Sequence, residues 1–239
     1  MGETLVDVWV YLAASPLLAL TMTLIAYQGA VWLYHKAGST ALLNPVLVTV
    51  ALVVAVLTAT GTSYQTYFEG AQFIHFLLGP ATVALAIPLY RQFDRVRRSA
   101  LAIAASLLTG SLTAIASALA VGALTQLDAV SLASLAPKSA TAPVAMGIAE
   151  KLGGLPSLTA VFVILTGILG AALGPVVLNL LGIRDEAARG FAMGTASHGI
   201  GTARALQESE VAGAFSGLAM GLNALATALL LPLVWVLFF

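Results

Sequence analysis

The chain contains no cysteine and little charge. With no Cys among 239 residues, thiol nucleophiles, disulfides and thiolate metal sites are excluded. Asp, Glu, Lys and Arg make up only 8% of the sequence, against about 25% in soluble domains. The ten basic and ten acidic residues cancel. No basic stripe is left to neutralise phosphates, so nucleic acid is not an expected partner. There is no HExxH, paired aspartate or GxSxG, and His75 with His198 are too few ligands for a metal. The chain is therefore expected not to be an enzyme and to need neither cofactor nor metal. Glu3 and Asp7 precede the first apolar run, with no Lys or Arg among them. That is the wrong sign for a secretory signal peptide, so this run is expected to stay as a transmembrane helix.

Apolar surface is what the chain has in excess. Sixty per cent of the residues are hydrophobic and the mean hydropathy is +1.00, more than a soluble globule can hide, so the outer face must meet lipid. Apolar helices are expected at 12–34, 43–60, 71–90, 99–124, 156–182, 188–206 and 211–238, with an eighth apolar segment at 129–150. The expected fold is all-α and polytopic, with seven to eight transmembrane segments in a single integral membrane domain over 1–239. Asn44-Pro45 suits a helix start. Gly170 with Gly174, and Gly213, Gly217 and Gly221, form small-xxx-small faces that let helices approach closely in lipid.

The loop charges set the orientation. His35-Lys36, the arginines of "RQFDRVRR" (Arg91, Arg95, Arg97, Arg98) and the pair in "IRDEAARG" (Arg184, Arg189) all fall on the cytoplasmic side only if 129–150 enters and returns. That choice also makes the chain two inverted repeats, about 1–125 and 126–239, the plan of secondary transporters. Helices 43–60, 71–90 and 99–124 then run opposite to 156–182, 188–206 and 211–238.

Three segments hold residues that a membrane helix should avoid. "LLGPATVALAIPLY" has Gly79-Pro80 in mid-segment, with Thr82 beside them. "LAPKSATAPVAM" has Pro137 and Pro143 around Lys138, Ser139 and Thr141. "GTASHGIGTAR" has Gly199 and Gly201 near Ser197, His198, Thr202 and Arg204. Unwound backbone at membrane depth is tolerated only where it is buried in protein or lines a cavity. Freed N–H groups point at anions and freed carbonyls at cations. The three discontinuous helices together are expected to form one substrate site, contributed by both halves of the chain. Taken singly, each break is more often only a kink. Charge within the bilayer marks a pathway or a pair. Lys138 reads either as a binding residue or as a loop-tip lysine reaching the surface. Arg204 reads either as a binding residue or as the partner of Gln207 and Glu208, one turn on. His75 reads as structural, and Tyr64 and Tyr67 as part of an interface belt.

Three stretches carry a family resemblance: "LLGPATVALAIPLYRQ", "LAPKSATAPVAMGIAEKLGGLPSLTAVFVILTGILGAALGP" and "ARGFAMGTASHGIGTARALQESEVAGAFSGLAMGLNALATALLLPL". They resemble the LrgB/CidB family over about Leu42 to Pro232, and the His-Gly-x-Gly-Thr-Ala-Arg run is specific to it. The family includes bacterial antiholin-like membrane proteins linked to control of murein hydrolases. It also includes the C-terminal half of the plastidal glycolate/glycerate translocator. The resemblance implies transport of small monocarboxylates such as glycolate, glycerate, lactate or pyruvate, and a small LrgA/CidA-type membrane partner.

The expected function is therefore a secondary carrier for small organic anions in the bacterial inner (cytoplasmic) membrane, acting as a homo-oligomer. Pro80, Thr82, Lys138, Ser139, Thr141, Ser197, His198, Gly199, Gly201, Thr202 and Arg204 are the candidate binding residues. The coupling ion is a proton, through His198 with its ordinary pKa near 6.5, or sodium. The alternative is a holin-modulating protein in cell lysis.

Overall fold

The computed structural model describes residues 16–37, 43, 45–77, 80, 83–84 and 86–238. Among these residues all regular structure is helical. The helices are α1 (Pro16–Lys36), α2 (Pro45–Thr60), α3 (Tyr64–Phe76), α4 (Ala86–Arg91), α5 (Phe93–Arg98), α6 (Ala100–Leu124), α7 (Ala129–Leu135), α8 (Ala142–Lys151), α9 (Pro156–Leu180), α10 (Glu186–Glu208) and α11 (Glu210–Phe238). Four of them are long and apolar enough to cross a membrane: Leu17–Lys36, Ala100–Leu124, Pro156–Leu180 and Glu210–Leu237. The chain forms two compact units, Met1–Ala84 and Leu85–Phe239.

The first unit holds α1 to α3, where the Thr23 and Tyr67 hydroxyls share a 2.9 Å hydrogen bond. One expectation changes here: α3 starts at Tyr64, earlier than the expected 71, and ends at Phe76, after which the described residues Pro80, Val83 and Ala84 are helical and α4 covers Ala86–Arg91. Hydropathy missed the early start because 64–70 is polar. The Ser63 Oγ accepts the Thr66 N–H at 3.1 Å, a cap that starts a helix whatever follows. Asn44, Gly79, Thr82 and the expected helix start at 12–15 lie outside the described residues, as does the side chain of His75. Pro80 is exposed.

In the second unit the ion pairs fix which ends meet. Arg91 reaches Glu210 at 3.1 Å, Arg95 reaches Asp185 at 2.8 Å, and Arg189 reaches Glu208 at 3.1 Å. The loops around 91–98, 181–185 and 208–210 therefore share one end, here called the arginine end. Helices α6 and α9 run away from it and back, with two short helices between them in place of one long one. Helix α7 has seven residues and α8 ten. At 1.5 Å per residue neither approaches the ~30 Å apolar thickness. Pro137, which has no N–H to continue α7, helps turn the chain into α8. We call α7–α8 the distal hairpin.

The largest departure concerns 188–206, expected as a spanning helix. Glu186–Glu208 has an interior break at His198 (φ 43°, ψ −134°). In a straight helix Arg189 and Glu208 would stand about 28 Å apart. They form a salt bridge instead, and Met193 and Ala205 share one core cluster. Helix α10 is thus a second hairpin, with its base at the arginine end. It is not the single spanning helix expected at 188–206.

The two hairpins begin alike. Helix α6 ends with Gln126 at φ 55° and a Leu127 N–H to Gly122 carbonyl bond of 2.9 Å. Helix α9 ends with Gly182 at φ 69° and an Ile183 N–H to Leu178 carbonyl bond of 2.9 Å. Both are left-handed helix stops. An aspartate then caps the next helix in each case: Asp128 accepts from the Ser131 N–H at 2.7 Å, and Asp185 from the Ala188 N–H at 2.9 Å.

Helix α11 receives both hairpins along its length. Its first half packs with α10 through Ala212, Phe215 and Ala219, and its second half with the distal hairpin through Leu231. Contact with α10 is close because Gly190 and Gly194 lie on the backbone of Ala212 and Ser216. Of the expected glycine faces, Gly170 and Gly174 meet Ser197 and Met193 of α10, whereas Gly221 faces open space.

Candidate functional site

The tips of the two hairpins meet inside the second unit, and Asn223, fully buried near the middle of α11, joins them. Its Nδ2 donates to the Ser139 carbonyl of the distal tip and to the Thr195 carbonyl of α10, each at 3.0 Å. Its Oδ1 accepts from the Ser111 Oγ of α6 at 2.6 Å. Both N–H donors of the amide and one lone pair of its oxygen are used. Among the described residues no buried side-chain polar atom lacks a partner, as a membrane interior demands.

Beside this junction lies a cavity of about 610 Å³. Helix α6 contributes one helical stripe of hydroxyls, Ser106, Thr109, Thr113 and Ser117. Thr166 and Gly170 come from α9, Thr195 and Ser197 from the first arm of α10, and Lys138 and Ser139 from the distal tip. The cavity thus runs from near the arginine end to the hairpin tips. Lys138 is the one charged residue in its lining. Its Nζ lies 3.4 Å from the Ser139 Oγ and makes no ion pair among the described residues. A half-buried ammonium on a cavity lined by eight hydroxyl-bearing residues, with no carboxylate among the described lining residues, suits a small anion. Asp and Glu are absent from this lining, which makes a divalent cation a poor fit, and no group of three His, Asp or Glu residues is placed to hold a metal among the described residues.

The structure divides the expected site residues. Lys138, Ser139 and Ser197 line the cavity together. Thr141 instead marks the start of α8, with extended backbone at its N-cap. His198 turns its ring away to α9, where Nε2 bonds the Val163 carbonyl at 2.9 Å and the ring presses on Gly167. The break falls at His198 itself, not at Gly199 or Gly201. Gly201 lets the second arm lie against Met193 and Ser197 of the first, and Gly199 is near Met220. Thr202 is buried, bonding the His198 carbonyl at 2.9 Å and the Ser216 hydroxyl at 3.0 Å. Arg204 bonds Gln207 at 3.2 Å and pairs with Glu208 at 4.0 Å, so its local-pair reading describes the geometry. Pro80 belongs to the first unit.

Sequence reading passed over Asn223, Ser111, Thr195 and the α6 hydroxyl stripe. The spacing of Ser106, Thr109, Thr113 and Ser117 was the available signal: it repeats every three to four residues, so the four share one face of an apolar helix.

These features define a multi-pass helical membrane protein in which two short hairpins enclose a hydroxyl-lined cavity. The LrgB-like family profile matches residues 23–237, and the chain belongs to that family. It is 38% identical to the uncharacterized protein YwbG of Bacillus subtilis, over 90% of this chain and 96% of that one. It is 32% identical to the holin-like protein CidB of Staphylococcus epidermidis, over 93% and 96%. To the antiholin-like protein LrgB of Bacillus subtilis it is 31% identical, over 91% and 94%. No solved structure matches.

Proposed function

We propose that the chain is a secondary carrier for small organic monocarboxylates of the glycolate, glycerate, lactate and pyruvate class. The observation that carries this reading is Lys138: an ammonium with no carboxylate partner among the described residues, on a hydroxyl-lined cavity where two hairpin tips meet. In this reading Lys138 holds the carboxylate, and Ser139, Ser197 and the α6 hydroxyls take the substrate's hydroxyl or oxo group. The repeated helix stop and aspartate cap support an inverted repeat of α6 with the distal hairpin and α9 with α10. This replaces the pairing 1–125 with 126–239. Discontinuous elements at a repeat interface are where secondary carriers bind substrate, with access alternating around them. The arginine end faces the cytoplasm, the membrane is the bacterial inner membrane, and the working form is a homo-oligomer. The chain does no covalent chemistry and needs no cofactor beyond a coupled proton or sodium ion.

The test is uptake of each labelled acid into liposomes holding the purified chain, with proton and sodium gradients imposed separately. Lys138→Gln is expected to weaken apparent affinity by roughly ten- to a hundredfold, as loss of a charge-assisted hydrogen bond does. No uptake of any of the four acids would refute the reading.

A second reading draws on the relatives' names, antiholin-like and holin-like. In it the chain controls murein hydrolase activity and lysis beside a small LrgA/CidA-type partner. Those names favour this reading, while the cavity favours the carrier. A chain that changes lysis in cells yet moves no acid in liposomes belongs to the second.

A further inference from the structure

Asn223 holds the two hairpins to each other at the cavity, and we infer that it is a positioning residue, a latch between the tips whose release accompanies access to the anion site. The inference rests on the carrier reading above.

One primary amide has two N–H donors. Asn223 gives one to Ser139 of the distal tip and the other to Thr195 of α10. While both hold, the two carbonyls stay no more than two hydrogen-bond lengths apart. The Ser111 hydroxyl bonded to Oδ1 fixes the amide's orientation, so both donors face the tips. Ser139 and Thr195 are also cavity-lining residues. Neither hairpin can move independently at its tip without breaking one of these bonds and exposing a lining residue. Thr195 stands one turn before the break at His198, where an ordinary helical carbonyl would look to the residue-199 N–H. The amide thus serves a carbonyl at the discontinuity. Asp in place of Asn keeps the shape and the acceptor but has no N–H for either tip.

Removing the donors leaves two buried carbonyls short of a partner in the joined state and not in a parted, hydrated one. By the usual cost of an unsatisfied buried group, parting should become roughly ten- to a hundredfold more frequent. The chain has no cysteine, so one thiol can report on this. Ala140 at the distal tip is 1% exposed and makes a suitable Ala140→Cys reporter. Its rate of reaction with a water-soluble maleimide is measured in the folded protein with and without saturating glycolate, alongside glycolate uptake. Adding Asn223→Ala or Asn223→Asp is expected to raise the labelling rate about ten- to a hundredfold, and glycolate is expected to restore protection. Ser111→Ala, which leaves both tip bonds in place, should raise it less than about fivefold, since it removes only one neutral hydrogen bond.

Labelling unchanged by both Asn223 variants, in a protein that takes up glycolate, overturns the latch. So does faster labelling that glycolate fails to reverse, because that describes a loosened fold. A reporter protein with an intact Asn223 that takes up neither glycolate nor the other three acids removes the carrier reading, and the latch with it. That result is distinguishable because uptake is measured independently of labelling.

Discussion

Replacing His198 by alanine and by glycine gives a test whose sign is diagnostic. In an uninterrupted helix alanine is more stable than glycine by about 1 kcal/mol. At φ 43°, ψ −134° the order reverses. A residue with a Cβ held there is strained by about 1–3 kcal/mol, and glycine is not strained, losing only its extra unfolded-state freedom of about 0.5–1 kcal/mol. Both variants lose the Nε2 bond to Val163 and the ring's contact with Gly167, so these losses largely cancel. His198→Gly should therefore be the more stable of the two by about 1–2 kcal/mol. For a chain of this size that is a difference of roughly 2–8 °C in Tm, read by thermal unfolding of purified protein in detergent micelles. His198→Ala melting at or above His198→Gly would mean that the helix runs through residue 198, and the hairpin description of α10 would fall.

Gly194→Ala would place a methyl group on the Ser216 backbone and should destabilise by about 1–3 kcal/mol, whereas Gly221→Ala, with nothing within 4 Å, should be neutral or stabilising; denaturant titration of both variants checks the contrast. Single cysteines at Arg97 and Arg184 should be labelled by an impermeant reagent from one side of the membrane and one at Lys151 from the other; Arg97 and Arg184 reacting from opposite sides would remove the shared arginine end. The Ser131 N–H, accepted by Asp128, holds that carboxyl below its ordinary 3.8. The cap is therefore complete above pH 3.8 and is lost as pH falls through the lower folded value. Replacing Asp128 by Asn should abolish this acid limb, as followed by hydrogen exchange at the start of α7.

The sequence announced the membrane, the long apolar helices and the turn at Pro137, because these depend on local composition and on a residue with no N–H. The arginines of 91–98 and 184–189 prompted the non-crossing reading of 129–150, where the structure has two short helices. Nothing local revealed that α10 doubles back. Its glycines looked like the break, yet the residue at positive φ is His198, held there by a carbonyl of α9 far along the chain. The cavity was half legible. Lys138, Ser139 and Ser197 stood out as polar groups among apolar ones, but Asn223 lies inside a long apolar helix, and its three partners are 28 to 112 residues away. Arg204 drew attention by charge alone, though its partners were within one turn.

The doubling-back of α10 constrains how the protein is made. Neither arm of Glu186–Glu208 is long enough to span a bilayer as a helix, and one of the two surfaces that receive it, the backbone of Ala212 and Ser216, belongs to α11. Synthesis delivers α10 first. The α11 side of its seat is therefore completed only after α10 has been made. A chain truncated after Glu208 would keep the α9 face that meets Met193, Ser197 and His198 but lack the α11 backbone on which Gly190 and Gly194 lie.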